Sequence, residues 1–159
     1  PLRLGALPPE QGAAHLSRSA GQPAIFGGDR AARGGGATRS VGDRPPIPIA
    51  VAPPVALSDA IVALNGWSND RPRTRQYRAL GAAAIELCLV ADGSFDGYVN
   101  LDGDSHGPWD YLGALLVLRE AGGVAADKSG RDLVSVDHSA RRCIVAGSDE
   151  ALITAMMSA

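Results

Sequence analysis

The segment GPWDYLGALLVLREAGG, residues 107–123, constrains the fold more than any other stretch of the chain. Its middle is almost wholly apolar, and it ends on a glycine pair, where a left-handed helix cap costs least. The apolar run over 111–118 is far short of the roughly 20 residues that a membrane-spanning helix needs. A helix this apolar must be buried by the rest of the protein on most of its circumference. The pattern predicts it over 110–121.

Other segments supply the surrounding layers. QYRALGAAAIELCLVADG has apolar residues at Leu80, Ala84, Leu87, Cys88 and Ala91, a helical spacing that stops at Asp92-Gly93. FDGYVNL, GVAAD before a Ser129-Gly130 turn, and RRCIVAG read as strands. Ser148 is expected to cap a last helix running to Met157, with Asp149 and Glu150 in its first turn. LSDAIVALNG either starts a helix capped by Ser58 or passes into a short strand over 60–64. Helices alternating with strands predict a layered α/β domain, a mixed β-sheet flanked by helices.

Composition shifts near residue 55. Residues 1–54 are rich in Pro and Gly and read as short strands and loops. A hairpin is expected over 24–39, with Ile25 and Phe26 in one strand and Gly27-Gly28 or Gly34-Gly35-Gly36 in turns. The prolines of PIPIAVA, over 46–52, suit an edge strand because they cannot donate to a ladder. The expected division is therefore 1–54, Gly/Pro-rich strands and loops, and 55–159, the α/β domain.

Charge and motif content narrow the function classes. The net charge is −2 and aromatics make up 4% of the chain, so the basic patch and stacking residues of a nucleic-acid binder are missing. No spanning segment or secretory signal is recognisable, and a cytoplasmic protein without a membrane partner is expected. The chain opens on Pro1 rather than Met, which predicts further sequence upstream. Cys88 and Cys143 match no metal or redox spacing and read as buried thiols. RGGGATR lacks both the ending of a phosphate loop and the spacing of a dinucleotide fingerprint, leaving a tight hairpin. NLDGDS opens like a calcium loop, but Ser105 stands at the Gly position and Tyr111 at that of the bidentate Glu. His15, His106 and His138 share no ligand spacing, and there is no Gly-x-Ser-x-Gly elbow. Arg71, Arg73, Arg75 and Arg78 read as a solvated run.

Two stretches remain, YRALGAAAIELCLVADGSFDGYVNL and WDYLGALLVLREAGG. Together they resemble the C-terminal half of the inositol monophosphatase family, Mg²⁺-dependent and Li⁺-sensitive phosphomonoesterases. The shared features are Trp109-Asp110, Gly113-Ala114, the apolar run, Glu120-Ala121-Gly122-Gly123 and an Arg-x-x-Gly-x-Ala-Ala helix start. The resemblance extends over roughly residues 24–157, with 1–54 as a remnant of the family's N-terminal sheet region. It implies that Asp110 is a Mg²⁺ ligand and that Gly81, Ala82 and Ala83 contact a small phosphorylated substrate, with Arg78 just before them. Asn100 falls where many members carry an acidic residue that binds a substrate hydroxyl. Such chemistry is physically coherent, because Mg²⁺ takes few carboxylates together with water and phosphate oxygens.

Each residue also has a plainer role. Asp110 alone would be a helix cap, Glu120 and the glycines a helix end, and Trp109 core packing beside the site. The resemblance implies no catalytic residue here, since the family's helix Glu and its Asp-Pro-Ile-Asp-Gly-Thr stretch do not occur in these residues. The leading expectation is a phosphatase portion, inactive alone, that forms a homodimer or pairs with a missing metal-binding N-terminal half. The alternatives are a degenerate member that binds a ligand or partner, and a purely structural α/β module.

Overall fold

Two sheets enclose a pair of helices, and a third helix covers the outer face of the larger sheet. The computed structural model of the chain describes residues 24–26 and 28–158. The smaller sheet is an antiparallel meander of β1 (Ala24–Phe26), β2 (Asp29–Ala31), β3 (Ala37–Arg39) and β4 (Ile47–Ile49). The predicted edge strand is β4, at the end of that order. The larger sheet holds β5 (Ile61–Asn65), β6 (Gln76–Arg78), β7 (Gly97–Asn100), β8 (Val124–Asp127) and β9 (Ile144–Gly147), in the order β6-β5-β7-β9-β8. It is mixed: β5 runs parallel to β6 and β7, while β9 is antiparallel to β7 and β8.

The helices are α1 (Ala83–Ala91), α2 (Leu112–Glu120) and α3 (Glu150–Met157). Alternation along the strands decides which helix each face meets. Ala63, Tyr98, Ile144 and Ala146 point into one cluster with Leu87 and Val90 of α1 and Leu115 and Leu118 of α2. Ala31 and Ala37 of the smaller sheet belong to the same cluster. Their sequence neighbours Val62, Leu64, Val99 and Val145 face the other way, onto Leu152, Ile153 and Met156 of α3. The result is the α/β layering expected from the sequence. Among the described residues no helix is long and apolar enough to cross a membrane.

Several local expectations need correction. Leu80 is 52% exposed and lies before α1, because Gly81 at φ 74° breaks the helical path and the preceding residues 76–78 pair with β5. The segment after Ser58 is the strand alternative, β5, and Ser58 sits inside a 3₁₀ turn (Leu57–Asp59) without capping it. The cap of α3 is Asp149, whose carboxylate accepts the Leu152 N–H at 2.7 Å, while Ser148 is buried with its hydroxyl unpaired. Arg71 is not simply solvated: its guanidinium lies 3.9 Å above the Trp67 ring and 5.2 Å from that of Tyr77. His15 and Gly27 lie outside the described residues.

The end of α2 follows the glycine reading and adds to it. Gly122 takes φ 89°, its N–H donates to Arg119 O, and the Gly123 N–H donates to Leu118 O. That pair of bonds is a Schellman cap. Glu120 is more than a helix end. Its two carboxylate oxygens accept the N–H groups of Gly34 and Gly36, at 2.9 and 3.1 Å, and so tie the β2–β3 turn to α2.

Candidate functional site

A cleft of about 480 Å³ opens where the carboxyl ends of the parallel neighbours β5 and β7 meet the start of α1. Open α/β sheets commonly bind ligands at that end of their strands. One wall is Gly81, Ala82, Ala83 and Ala84. A Cβ on Gly81 would touch nothing within 4 Å, so the glycine answers to its backbone angle rather than to packing. No side chain caps the start of α1, and the small residues there leave the helix N-terminus open to polar ligands.

The opposite wall is the loop after β7. Pro108–Asp110 forms a single 3₁₀ turn, and α2 begins only at Leu112. Asp110 is therefore not the start of the long helix, as the sequence pattern predicted. Its Oδ2 reaches back to accept the Gly107 N–H at 2.9 Å, closing the turn on itself. The other carboxylate oxygen makes no hydrogen bond among the described residues, and Asp110 lines the cleft. Trp109 is not core packing either. It is 57% exposed at the cleft rim, stacked on His138 with ring centres 5.3 Å apart and with the Arg141 guanidinium 4.8 Å from its ring.

Beneath the cleft runs a buried polar chain. The register pairs Asn65 with Asn100, and Asn65 Nδ2 donates to Asn100 Oδ1 at 3.0 Å. Asn100 Nδ2 faces His106 Nδ1 at 3.0 Å. Ser105 Oγ lies 3.1 Å from the same Nδ1, and on the far side of the ring Nε2 lies 2.9 Å from the Tyr98 hydroxyl. Burial pushes His106 below the ordinary imidazole value, against the opposing charges of Asp110 and Asp102, and keeps it neutral at pH 7. Burial, followed by the charge of Glu86, pushes the Tyr98 phenol up.

The loop is also held from the side. Asp104 takes two bonds from Arg131, at 2.5 and 2.9 Å, and Arg131 in turn binds Asp127. His106 and Arg142 exchange both of their backbone hydrogen bonds. These contacts fix Asp102, Ser105 and His106 along the cleft.

Of the residues singled out in the sequence, Gly81, Ala82, Ala83 and Asp110 come together at this cleft. Asn100 does not line it: the residue is fully buried below, its Oδ1 accepting from Asn65 and Asp102 and its Nδ2 within hydrogen-bond distance of Gly103, Ser105 and His106. Arg78 is exposed outside the lining, its guanidinium bonded to Gln76 Oε1 and Tyr77 O. Sequence reasoning missed Asn65, Asp102, Ser105 and His106 as cleft residues. Asp102, Ser105 and His106 share one loop, and the β5–β7 register, which no local pattern announces, brings Asn65 to it.

Among the described residues no group of three His, Cys, Asp or Glu side chains is arranged to hold a metal ion. Mg²⁺ demands near-octahedral oxygen coordination. Asp110 offers one uncommitted oxygen and Asp102 is the other carboxylate at the cleft. The described residues therefore do not fit a self-contained Mg²⁺ centre.

A family model for the inositol monophosphatase family matches residues 53–158. The chain is 34% identical over 88 residues to a fructose-1,6-bisphosphatase/inositol-1-monophosphatase of Thermococcus kodakarensis, covering 55% of this chain and 34% of that protein. It is 42% identical over 60 residues to a putative Nus factor SuhB of Neisseria meningitidis, covering 38% and 22%. Among solved structures it is similar to an inositol monophosphatase from Anabaena (Nostoc), with TM-score 0.61 and 28% identity over 82% of this chain and 54% of that one. It is also similar to inositol monophosphatase II from Staphylococcus aureus, with TM-score 0.65 and 26% identity over 82% and 48%. The chain spans about half the length of these solved structures, and the matched stretches about a third or less of the curated relatives.

Proposed function

The chain belongs to the inositol monophosphatase family, and from that premise we propose that it supplies one face of a cytoplasmic Mg²⁺-dependent phosphomonoesterase site. The substrate class is a small phosphate ester, an inositol phosphate or a sugar phosphate. The observation that carries this reading is the meeting of the open α1 start with the Trp109-Asp110 turn across one cleft.

In this reading Asp110 contributes a single carboxylate oxygen to a shared metal centre. The Gly107 N–H holds the other oxygen and so aims the carboxylate. The Gly81–Ala83 wall presents backbone groups to a polyol or phosphate without side chains in the way. His106 has both ring nitrogens engaged inside the protein, so it shapes the cleft floor and moves no proton at the substrate. The remaining ligands, and the groups that activate water, come from outside the described residues, on a metal-binding half. When bound, Mg²⁺ would neutralise phosphate charge and lower the pKa of a coordinated water.

The test is phosphate release from inositol 1-phosphate with Mg²⁺, by the chain alone and mixed with the metal-binding half of a relative. The expected result is no release alone, release on mixing, and its loss with Asp110→Asn. Activity of the chain alone that survives Asp110→Asn would overturn the reading. Binding of the ester with no release in either arm would favour a non-catalytic family member.

A further inference from the structure

Glu86 inverts the pattern of the helix that carries it. It is the single charged residue of α1 and is fully buried, while its neighbour Ile85 is 42% exposed. Charged helix side chains ordinarily reach for water. The Glu86 carboxylate instead turns back along the chain, and its Oε1 accepts the Leu80 N–H at 2.7 Å. Its Oε2 is buried without a hydrogen-bond partner. Burial pushes the carboxyl above its ordinary value, opposed by the N–H groups of Leu80 and Gly81. An unpaired buried oxygen is destabilising, and a leucine at this position would serve a core helix better.

What Glu86 holds is the turn from β6 into α1. The turn begins where β6 ends at Arg78; Ala79, Leu80 and Gly81 are all exposed, and a Cβ on Gly81 would meet open space. Two bonds run from the turn to Glu86, the Leu80 N–H to its carboxylate and its own N–H to Ala82 O at 3.0 Å. Gly81 and Ala82, between those bonds, line the cleft.

We infer that Glu86 is a positioning residue for the ligand-binding wall: from below, its carboxylate fixes the 79–82 turn so that Gly81 and Ala82 meet a small phosphate ester. The inference rests on the phosphomonoesterase reading for its ligand, though not for the turn itself.

The test compares wild type, Glu86→Gln and Glu86→Leu in the full chain. Gln keeps an acceptor for Leu80, whereas Leu fills the space without one; Glu86→Met serves if the Leu variant does not fold. Backbone amide resonances of residues 79–83 report the turn, and titration with inositol 1-phosphate and Mg²⁺, in the presence of the metal-binding half of a relative, reports binding. The expected result is that Gln preserves the 79–83 resonances and binds within about threefold of wild type. The apolar variant, still folded, shifts those resonances and weakens binding on the order of tenfold. Unshifted 79–83 resonances in the apolar variant, or wild-type binding by it, would overturn the inference. A wild-type chain that binds no phosphate ester even when mixed with that half would sink the phosphatase reading instead, and the amide shifts would still decide whether Glu86 sets the turn.

Discussion

Asp127→Asn probes the side support of the cleft, and its cost follows from the geometry. Asp127 lies at the end of β8, 2% exposed, and its carboxylate accepts four hydrogen bonds. Three come from Arg131, through Nε at 2.6 Å, Nη2 at 2.9 Å and the backbone N–H at 3.2 Å, and one from the Cys143 N–H at 2.9 Å. Burial pushes this carboxyl up, but the bonds from Arg131 and Cys143 outweigh it and bring the value down from 3.8 to about 2. That difference is worth about 2.5 kcal/mol in favour of the ionised form in the folded chain. The folded value is depressed, so the contribution is fully present above the ordinary carboxylate value and is lost as pH falls through about 2. Urea unfolding of wild type and Asp127→Asn, followed by circular dichroism at several pH values, measures it directly. At pH 6 the variant is expected to be less stable by about 2 to 3 kcal/mol, and near pH 2 the gap closes to roughly 0.5 kcal/mol. A gap that stays constant with pH, or a loss at pH 6 below about 0.5 kcal/mol, would refute the reasoning.

Two further outcomes follow from single side chains. Glu120→Ala removes the acceptor for both the Gly34 and Gly36 N–H groups and should cost about 1 to 2 kcal/mol in urea unfolding, with Glu120→Gln recovering part of it. Equal losses for Ala and Gln would point to charge rather than to the paired bonds. Cys88 is buried, and burial, with the nearby Asp29 charge, pushes its thiol up to about 12. At pH 8 it should react with a thiol reagent only as fast as the chain unfolds; rapid labelling of the folded chain would contradict that.

The strands and the long helix were legible because burial is periodic there. FDGYVNL and RRCIVAG each lie in the larger sheet with alternate residues on its two faces, and REAGG announces the Schellman cap at Gly122. Prediction failed where two local solutions are nearly equal in energy. Leu80 fits the helical spacing of Ala84 and Leu87, yet Gly81 at φ 74° takes it off the helix. Ser148 and Asp149 are both good caps, and only the reach of a carboxylate to Leu152 N–H selects Asp149. Trp109 was expected inside because tryptophan is large and apolar, but its ring finds His138 and Arg141 at the surface instead. The cleft floor was illegible for a different reason. Strand pairing brings Asn65 to Asn100 and the following loop returns His106 to the same amide, so no short window along the chain contains all three. Glu86 did leave a signal, a lone charge within AAIELCLVA, whose meaning depends on where the preceding turn goes.

The proposed metal ligand, Asp110, is aimed by a neighbour with no side chain at all. Its carboxylate is held by the Gly107 N–H, and a Cβ on Gly107 would run into the Trp109 ring. Trp109 keeps that place by stacking on His138, in a loop that Arg142 joins to His106 through paired backbone bonds. The orientation of one acidic side chain is thus set by a ring of contacts that spans residues 106–142. The same holds across the cleft, where Gly81 is placed by Glu86 from beneath. The apolar core takes in Ala83 of one wall, with Ala84 packed against it, but neither Gly81 nor Asp110. The core fixes where the two walls can stand, and a few buried or half-buried polar bonds fix how they face each other. Substitutions at those bonds should therefore change ligand geometry with less effect on folding than substitutions of the core residues around them.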